Sequence, residues 1–319
     1  MRPALLVLGY ALAVAWCAPA LLMRLTARGI SPRLGLAAWS TAMASVLASA
    51  LVALQFLIRA AVAGWPGLAE AVCRSVEGGS CAPAVYRSAI FEFALGITTI
   101  AAALTLTVLA WRYGRSVQRG QRRTRDHAEA ARIAGRRLPE AGAAVVLDAA
   151  QRVAYCVPGR PATIVVTSGA LAVLDPAQLR AVLAHERAHL AGRHHLLIAL
   201  TRALSASFPA VPLFTQGPAE VARLAEMRAD DAAARRGGRP ALIAALLTMG
   251  TGAAVPALAL AATACAVAAR VQRLLEPPRR GRRARYGLAL SALVLLLALA
   301  PTLAALFAGP LTAHGITGA

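Results

Sequence analysis

Two histidines four residues apart flank a glutamate in the run His185-Glu186-Arg187-Ala188-His189. On a helix, side chains four apart stack on one face, so both imidazoles reach the same metal ion. Imidazole suits zinc. A catalytic zinc takes three protein ligands and keeps a fourth position for water, and a carboxylate beside the histidine pair is placed to take a proton from that water. Glu186 is that candidate base. A third ligand is still required, and Glu226-Met227-Arg228-Ala229-Asp230 repeats the four-residue spacing with two carboxylates. One suits the metal, and the other suits orienting a ligand histidine from behind. The competing reading of this second stretch is a solvated charged face beside Arg223 and Arg228.

The elements that must hold these side chains are marked in the chain. Asp175 is an N-cap residue, Pro176 suits the first helical turn, Gln178 completes a capping-box pattern, and Gly192 falls in the last turn beside Arg193. These signals predict a helix from Asp175 to Arg193 that carries His185, Glu186 and His189. Upstream, Val145 to Leu147, Val153 to Cys156 and Ile164 to Thr167 are short β-type runs separated by Asp148 and Pro158-Gly159. They predict a small antiparallel sheet packed before that helix.

The pairing of HExxH with ExxxD, preceded by Thr163-Ile164-Val165-Val166-Thr167-Ser168-Gly169-Ala170-Leu171 and by Asp175-Pro176-Ala177-Gln178-Leu179, resembles the membrane-embedded gluzincin peptidases. Within them the likeness is to the antibiotic-sensing M56 group, with the M48 group as its cousin. The motifs cover residues 140–235. The resemblance implies one zinc ion on His185, His189 and Glu226, with Glu186 as general base and Asp230 behind a ligand histidine. It also implies a polypeptide substrate that pairs with an edge strand of the sheet beside the metal, a general mode of peptide recognition.

Composition sets the surroundings. The 319 residues are 58% hydrophobic with a mean hydropathy of +0.61, which describes a polytopic membrane protein. The net charge of +20 comes entirely from arginine, and those arginines cluster beside apolar runs, where positive charge sets membrane orientation and meets anionic lipid. The longest basic run, Arg115 to Arg137, has no aromatic residues interleaved with it, so direct nucleic-acid binding is not expected.

The fold expected is therefore mainly α, with about four transmembrane helices and a cytoplasmic gluzincin-type domain of helices plus a small sheet. Residues 1–112 are read as a three-span region in which spans at 3–23, 34–62 and 89–111 start from an external N-terminus. The first is read as a retained span rather than a cleaved signal peptide, because Arg24, Arg28 and Arg33 follow it. An external loop at 63–88 holds Cys73 and Cys81, which an oxidising exterior permits to pair or to remain free. Residues 113–285 form the peptidase domain, opening with a basic juxtamembrane helix over residues 112–137. Residues 286–319 supply a fourth span and a short external tail.

Two apolar stretches inside that domain pose a topological problem. A single crossing by residues 196–214 would place Glu226 on the opposite side of the membrane from His185 and His189. Arg202, Pro209 and Pro212 instead predict a bent or re-entrant hairpin. Residues 241–269, broken at Gly250, Gly252 and Pro256, are expected as internal or surface helices. His127, His194, His195 and His314 lie off the ligand spacing and are read as solvated or interfacial. Cys17, Cys156 and Cys265 are read as small apolar residues.

Two activities within the peptidase class are compatible with these residues. The M56 likeness implies regulated proteolysis of a cytoplasmic DNA-binding repressor, although the external penicillin-binding sensor domain of those receptors has no counterpart here. The M48 likeness implies trimming of damaged membrane proteins. A receptor or adaptor that retains the fold without catalysis would instead carry a degraded site.

Overall fold

The computed structural model describes residues 2–76, scattered helical positions between 94 and 126, and residues 129–138, 144–159, 161–250 and 257–308. Three of its helices are long and apolar enough to cross a membrane: α1 (Arg2–Thr26), α2 (Pro32–Val76) and, at the far end of the chain, a helix over Arg280–Ala308. Their apolar stretches are 24, 29 and 24 residues long. At 1.5 Å per residue each exceeds the roughly 30 Å hydrocarbon core. All three pack against one another.

The turn between α1 and α2 depends on Gly29, whose φ of +55° is left-handed and whose N–H bonds Thr26 O at 2.8 Å. A Cβ at Gly29 would also stand 2.2 Å from Met227 Sδ, so this turn is pressed against a helix of the catalytic region.

Between the spans the described residues form four strands, β1 (Arg136–Arg137), β2 (Ala144–Leu147), β3 (Ala154–Val157) and β4 (Thr163–Thr167), in the order β1-β2-β4-β3. The sheet is mixed, not antiparallel throughout: β2 and β4 run parallel, with Val145 opposite Val165, while β1–β2 and β3–β4 are antiparallel. The hairpin from β3 to β4 carries β3 to the outside, which leaves β2 and β4 as neighbours pointing the same way. Every residue of β4 is buried, and its continuous Thr-Ile-Val-Val-Thr run suits a strand covered on both faces. The strand β1 corrects a second expectation, since Arg136 and Arg137 belong to the sheet edge and not to a juxtamembrane helix.

After β4 the described residues form six further helices before the last span: α3 (Ser168–Leu171), α4 (Pro176–Ala191), α5 (His194–Ser207), α6 (Pro212–Gly237), α7 (Arg239–Gly250) and α8 (Ala257–Leu275). The helix at Arg280–Ala308 is α9. The apolar stretch after α4 does not run straight. The 14-residue α5 would reach only about 21 Å, and the chain turns at Phe208 before Pro212 starts α6, which packs back on α5. The chain thus bends at the end of this stretch, between Phe208 and Pro212.

The core explains why α6 is fixed. Leu213, Phe214, Val221 and Leu224 of α6 are buried among Trp39 and Met43 of α2, Leu22 of α1 and Leu290 of α9. Gly217 lets Met43 approach, since a Cβ there would stand 1.9 Å from Met43 Cε. A catalytic-region helix is therefore built into the membrane bundle.

The helical backbone of α2 continues to Val76, into the segment expected as an external loop from residue 63; the Gly and Pro residues at 64–67 do not end it. The Cys73–Cys81 pairing, most of the third span and the tail after Ala308 lie outside the described residues.

Candidate metal and catalytic site

The helix α4 begins as its sequence dictates. Asp175 accepts hydrogen bonds at 2.8 Å from the N–H groups of Ala177 and Gln178, and Gln178 Oε1 accepts from the Asp175 N–H at 3.3 Å, closing a capping box. Pro176 occupies the first turn, and Gly192 caps the other end. The register set by these ends turns His185, Glu186 and His189 toward α6.

From α6, Glu226 meets them. His185 Nε2 lies 3.4 Å from Glu226 Oε2, His189 Nε2 lies 3.3 Å from Glu226 Oε1, and the two Nε2 atoms are 3.1 Å apart. Ligand atoms held about 2.0–2.1 Å from a tetrahedral ion stand about 3.3–3.4 Å from each other. Each imidazole faces a different oxygen of Glu226; with one ligand atom taken from each residue the group lies within 4.8 Å, and two imidazoles with one carboxylate form a donor set that suits zinc.

Behind this face, Asp230 is fully buried and its Oδ1 lies 3.1 Å from His185 Nδ1, in the geometry of an ion pair more than of a straight hydrogen bond. A carboxylate in this place fixes the ring so that Nε2 points at the metal. Asp230 is itself held by Arg270 of α8, which donates from Nε at 2.8 Å and Nη2 at 2.6 Å, while Nη1 reaches Glu226 Oε2 at 3.1 Å. Arg270 was placed by its sequence among the basic flanks of the spans. Its signal was an arginine ending an apolar helix, three residues before Arg273, which binds Asp231 through both oxygens at 2.9 Å.

His194 is the second residue whose place sequence spacing hid. It is buried rather than solvated, and its Nδ1 lies 3.1 Å from Nδ1 of His189. The joint between α4 and α5 creates this contact. Arg193 takes a left-handed φ of 49°, and a Cβ at Gly192 would stand 2.4 Å from His194 Nε2. Each candidate ligand histidine thus has its own partner behind it, Asp230 for His185 and His194 for His189.

The electrostatics follow from burial and pairing. Burial lowers the pKa of His185, but Asp230 and Glu226 outweigh it and raise the group to about 9, whereas burial dominates at His189 and takes it down to about 4. Burial likewise takes His194 to about 4. Burial raises Glu226 and Asp230, yet their contacts with His185 and Arg270 bring both down to about 2. Both carboxylates are therefore anionic at neutral pH, as a metal ligand and its supporting acid must be.

Glu186 behaves differently. Burial raises its pKa, against the opposing field of His185 and contacts with Cys156, so it is the basic carboxylate of the group. Cys156 of β3 lies beside it, and burial followed by the charge of Glu186 pushes the thiol up to about 12. It stays protonated at neutral pH and is no nucleophile. Residues Ala154, Tyr155 and Cys156 of the edge strand line the same cavity, about 440 Å3 in volume, as His185, Glu186, His189, Glu226 and Arg270.

Comparison with known proteins agrees with this constellation. A family model described as Peptidase family M48 matches residues 117–277, half of the chain and all of the residues just named. The chain belongs to peptidase family M48. It is thereby a metallopeptidase, and the zinc dependence of M48 peptidases accords with the His-His-Glu group. No curated protein and no solved structure matches this M48 chain.

Proposed function

We propose that this M48 protein is a zinc-dependent endopeptidase that cuts polypeptides beside the membrane, with His185, His189 and Glu226 as the metal ligands and Glu186 as the general base. The observation that carries the proposal is the cavity in which this donor set, a buried basic carboxylate and an edge strand face one another. Bound zinc would supply a Lewis acid and a water acidic enough to ionise near neutral pH.

The chain's own residues do the rest. Glu186 takes a proton from the water and passes it to the leaving amine. Asp230 and His194 hold the two imidazoles in orientation, and Arg270 keeps Asp230 and Glu226 charged. The outer edge of β3 offers backbone N–H and C=O groups to an extended substrate beside Glu186, which gives affinity without demanding one side-chain sequence.

The substrates are taken to be membrane proteins, damaged ones included. Support comes from the M48 match and from α6, which carries Glu226 while its apolar residues pack into the span bundle. The basic flanks of the spans favour a cytoplasmic site in a multi-pass cell-membrane protein. Regulated removal of a cytoplasmic repressor, the activity the M56 resemblance implies, would use the same residues on another substrate. An adaptor without catalysis is disfavoured, since the donor set and base are intact.

Protein termini compared between host cells carrying the wild type and cells carrying Glu186→Ala, before and after cell-wall stress, test this reading. Fragments of many membrane proteins that vanish in the variant are expected. One new cleavage in a soluble DNA-binding protein would support signalling instead. Identical termini in both strains would sink the peptidase proposal.

A further inference from the structure

A second cavity, about 210 Å3 and of mixed polar and apolar lining, opens beside Asp231, Ala234 and Arg235 of α6. Four arginines and one aspartate are among the residues that line it, Arg235 and Asp231 of α6, Arg239 of α7, Arg273 of α8 and Arg283 of α9. The carboxylate is already answered, because Asp231 is bound through both oxygens by Arg273. Arg273 is also fixed by Gly29 O at 2.9 Å and Met227 O at 3.4 Å, so one wall of the cavity is preformed. The side chains of Arg235, Arg239 and Arg283 make no hydrogen bond or ion pair with any described residue. These three arginines, from three helices, are solvent-exposed and line one concavity, so their charges are open to an anion that enters it.

Position narrows the kind of anion. The cavity includes Ile30, in the turn between the spans Pro3–Thr26 and Pro32–Ala60, and Arg283, in the first turn of the span Arg280–Leu303. It therefore lies where three apolar spans end together, at the level of the lipid head groups. Guanidinium forks match phosphate oxygens in pairs, and basic pockets between spans at this level suit anionic head groups.

We propose that this cavity binds a phosphate group, with the head group of an anionic phospholipid as the occupant its position favours. The site is separate from the metal cavity, and the proposal does not depend on the peptidase reading. It is joined to that cavity by chain geometry, since Asp231 adjoins Asp230 and Arg273 lies one helical turn after Arg270.

The full-length protein, purified and delipidated in detergent, is titrated separately with phosphatidylglycerol, phosphatidylcholine and inorganic phosphate. Retained lipid is counted by native mass spectrometry, and the thermal unfolding midpoint is followed. Saturable retention of about one phosphatidylglycerol per chain is expected, with at least a ~10-fold loss of affinity in the double variant Arg239→Gln/Arg283→Gln. The control Arg119→Gln/Arg122→Gln should bind like the wild type, because those arginines lie elsewhere. A midpoint shift with inorganic phosphate alone, lost in the same double variant, supports the site and names soluble phosphate as the source. Equal binding of phosphatidylcholine, undiminished binding by the Arg239/Arg283 variant, or no response to any probe overturns the proposal.

Discussion

Arg270 of α8 grips Asp230 of α6 with two hydrogen bonds, at 2.8 and 2.6 Å, forty residues apart in sequence and directly behind His185. This pair ties the last helix before the final span to the metal-binding face. Replacing Arg270 by Gln should lower zinc affinity by about 10- to 100-fold, the usual range for loss of an outer partner. It also leaves Asp230 buried without its cation, so stability should fall by about 3 kcal/mol or more. Competition against a chromophoric chelator reads the first effect, and thermal unfolding the second. Unchanged zinc affinity would remove Arg270 from the site.

The same pair sets an acid limit. Contacts with Arg270 and His185 depress the Asp230 pKa from 3.8 to about 2. A depressed carboxylate adds stability at pH above its unfolded value, and that stability is lost as the pH falls through the folded one. In chelator-treated protein the contribution should be of the order of 2 kcal/mol at pH 5 and should fade between about pH 4 and pH 2. Asp230→Asn should flatten that part of the stability–pH curve. An equally steep curve in Asp230→Asn would assign the acid sensitivity to other groups.

His194 tests whether the second imidazole needs its partner. His194→Phe keeps a ring of similar size in the buried site but removes the Nδ1 contact with His189. Zinc affinity should drop by about tenfold with little change in unfolding temperature. A loss as complete as that of His189→Ala would make His194 a ligand, and no loss would make it a packing residue.

Two glycines should respond with opposite signs. A Cβ at Gly169 would stand 2.2 Å from the backbone oxygen of Ala150, whereas a Cβ at Gly9 in α1 meets nothing within 4 Å. Gly169→Ala should therefore destabilise by about 1–3 kcal/mol. Gly9→Ala should be neutral or stabilise by up to about 1 kcal/mol through helix propensity. Thermal unfolding of both variants decides it, and a tolerated Gly169→Ala would contradict the packing of α3 against the backbone at Ala150, between β2 and β3.

What the sequence disclosed was local. The capping box at Asp175 and Gln178 and the two four-residue spacings depend on neighbours along one helix, and the geometry reproduces them. The bend after α5 was legible by a different route, because a shared metal demanded that Glu226 return to the side of His185. Pairings between distant segments were not legible. Nothing near Arg270 announces Asp230, since an arginine beside an apolar run reads equally as a membrane flank. His194 was hidden by the left-handed Arg193, which folds a residue off the helical spacing back under His189. The parallel pairing of β2 with β4 depends on which strand lies outermost, and alternation of residue types does not encode that.

The most direct test of the account is the zinc content of the purified wild type, Glu186→Gln and Glu226→Ala proteins, measured beside their cleavage of an unfolded polypeptide. The wild type should hold one zinc per chain and cleave, and Glu186→Gln should hold the same zinc without cleaving. Glu226→Ala should lose both. Wild-type zinc affinity in Glu226→Ala, or wild-type cleavage by Glu186→Gln, would contradict the assignment of ligand and base.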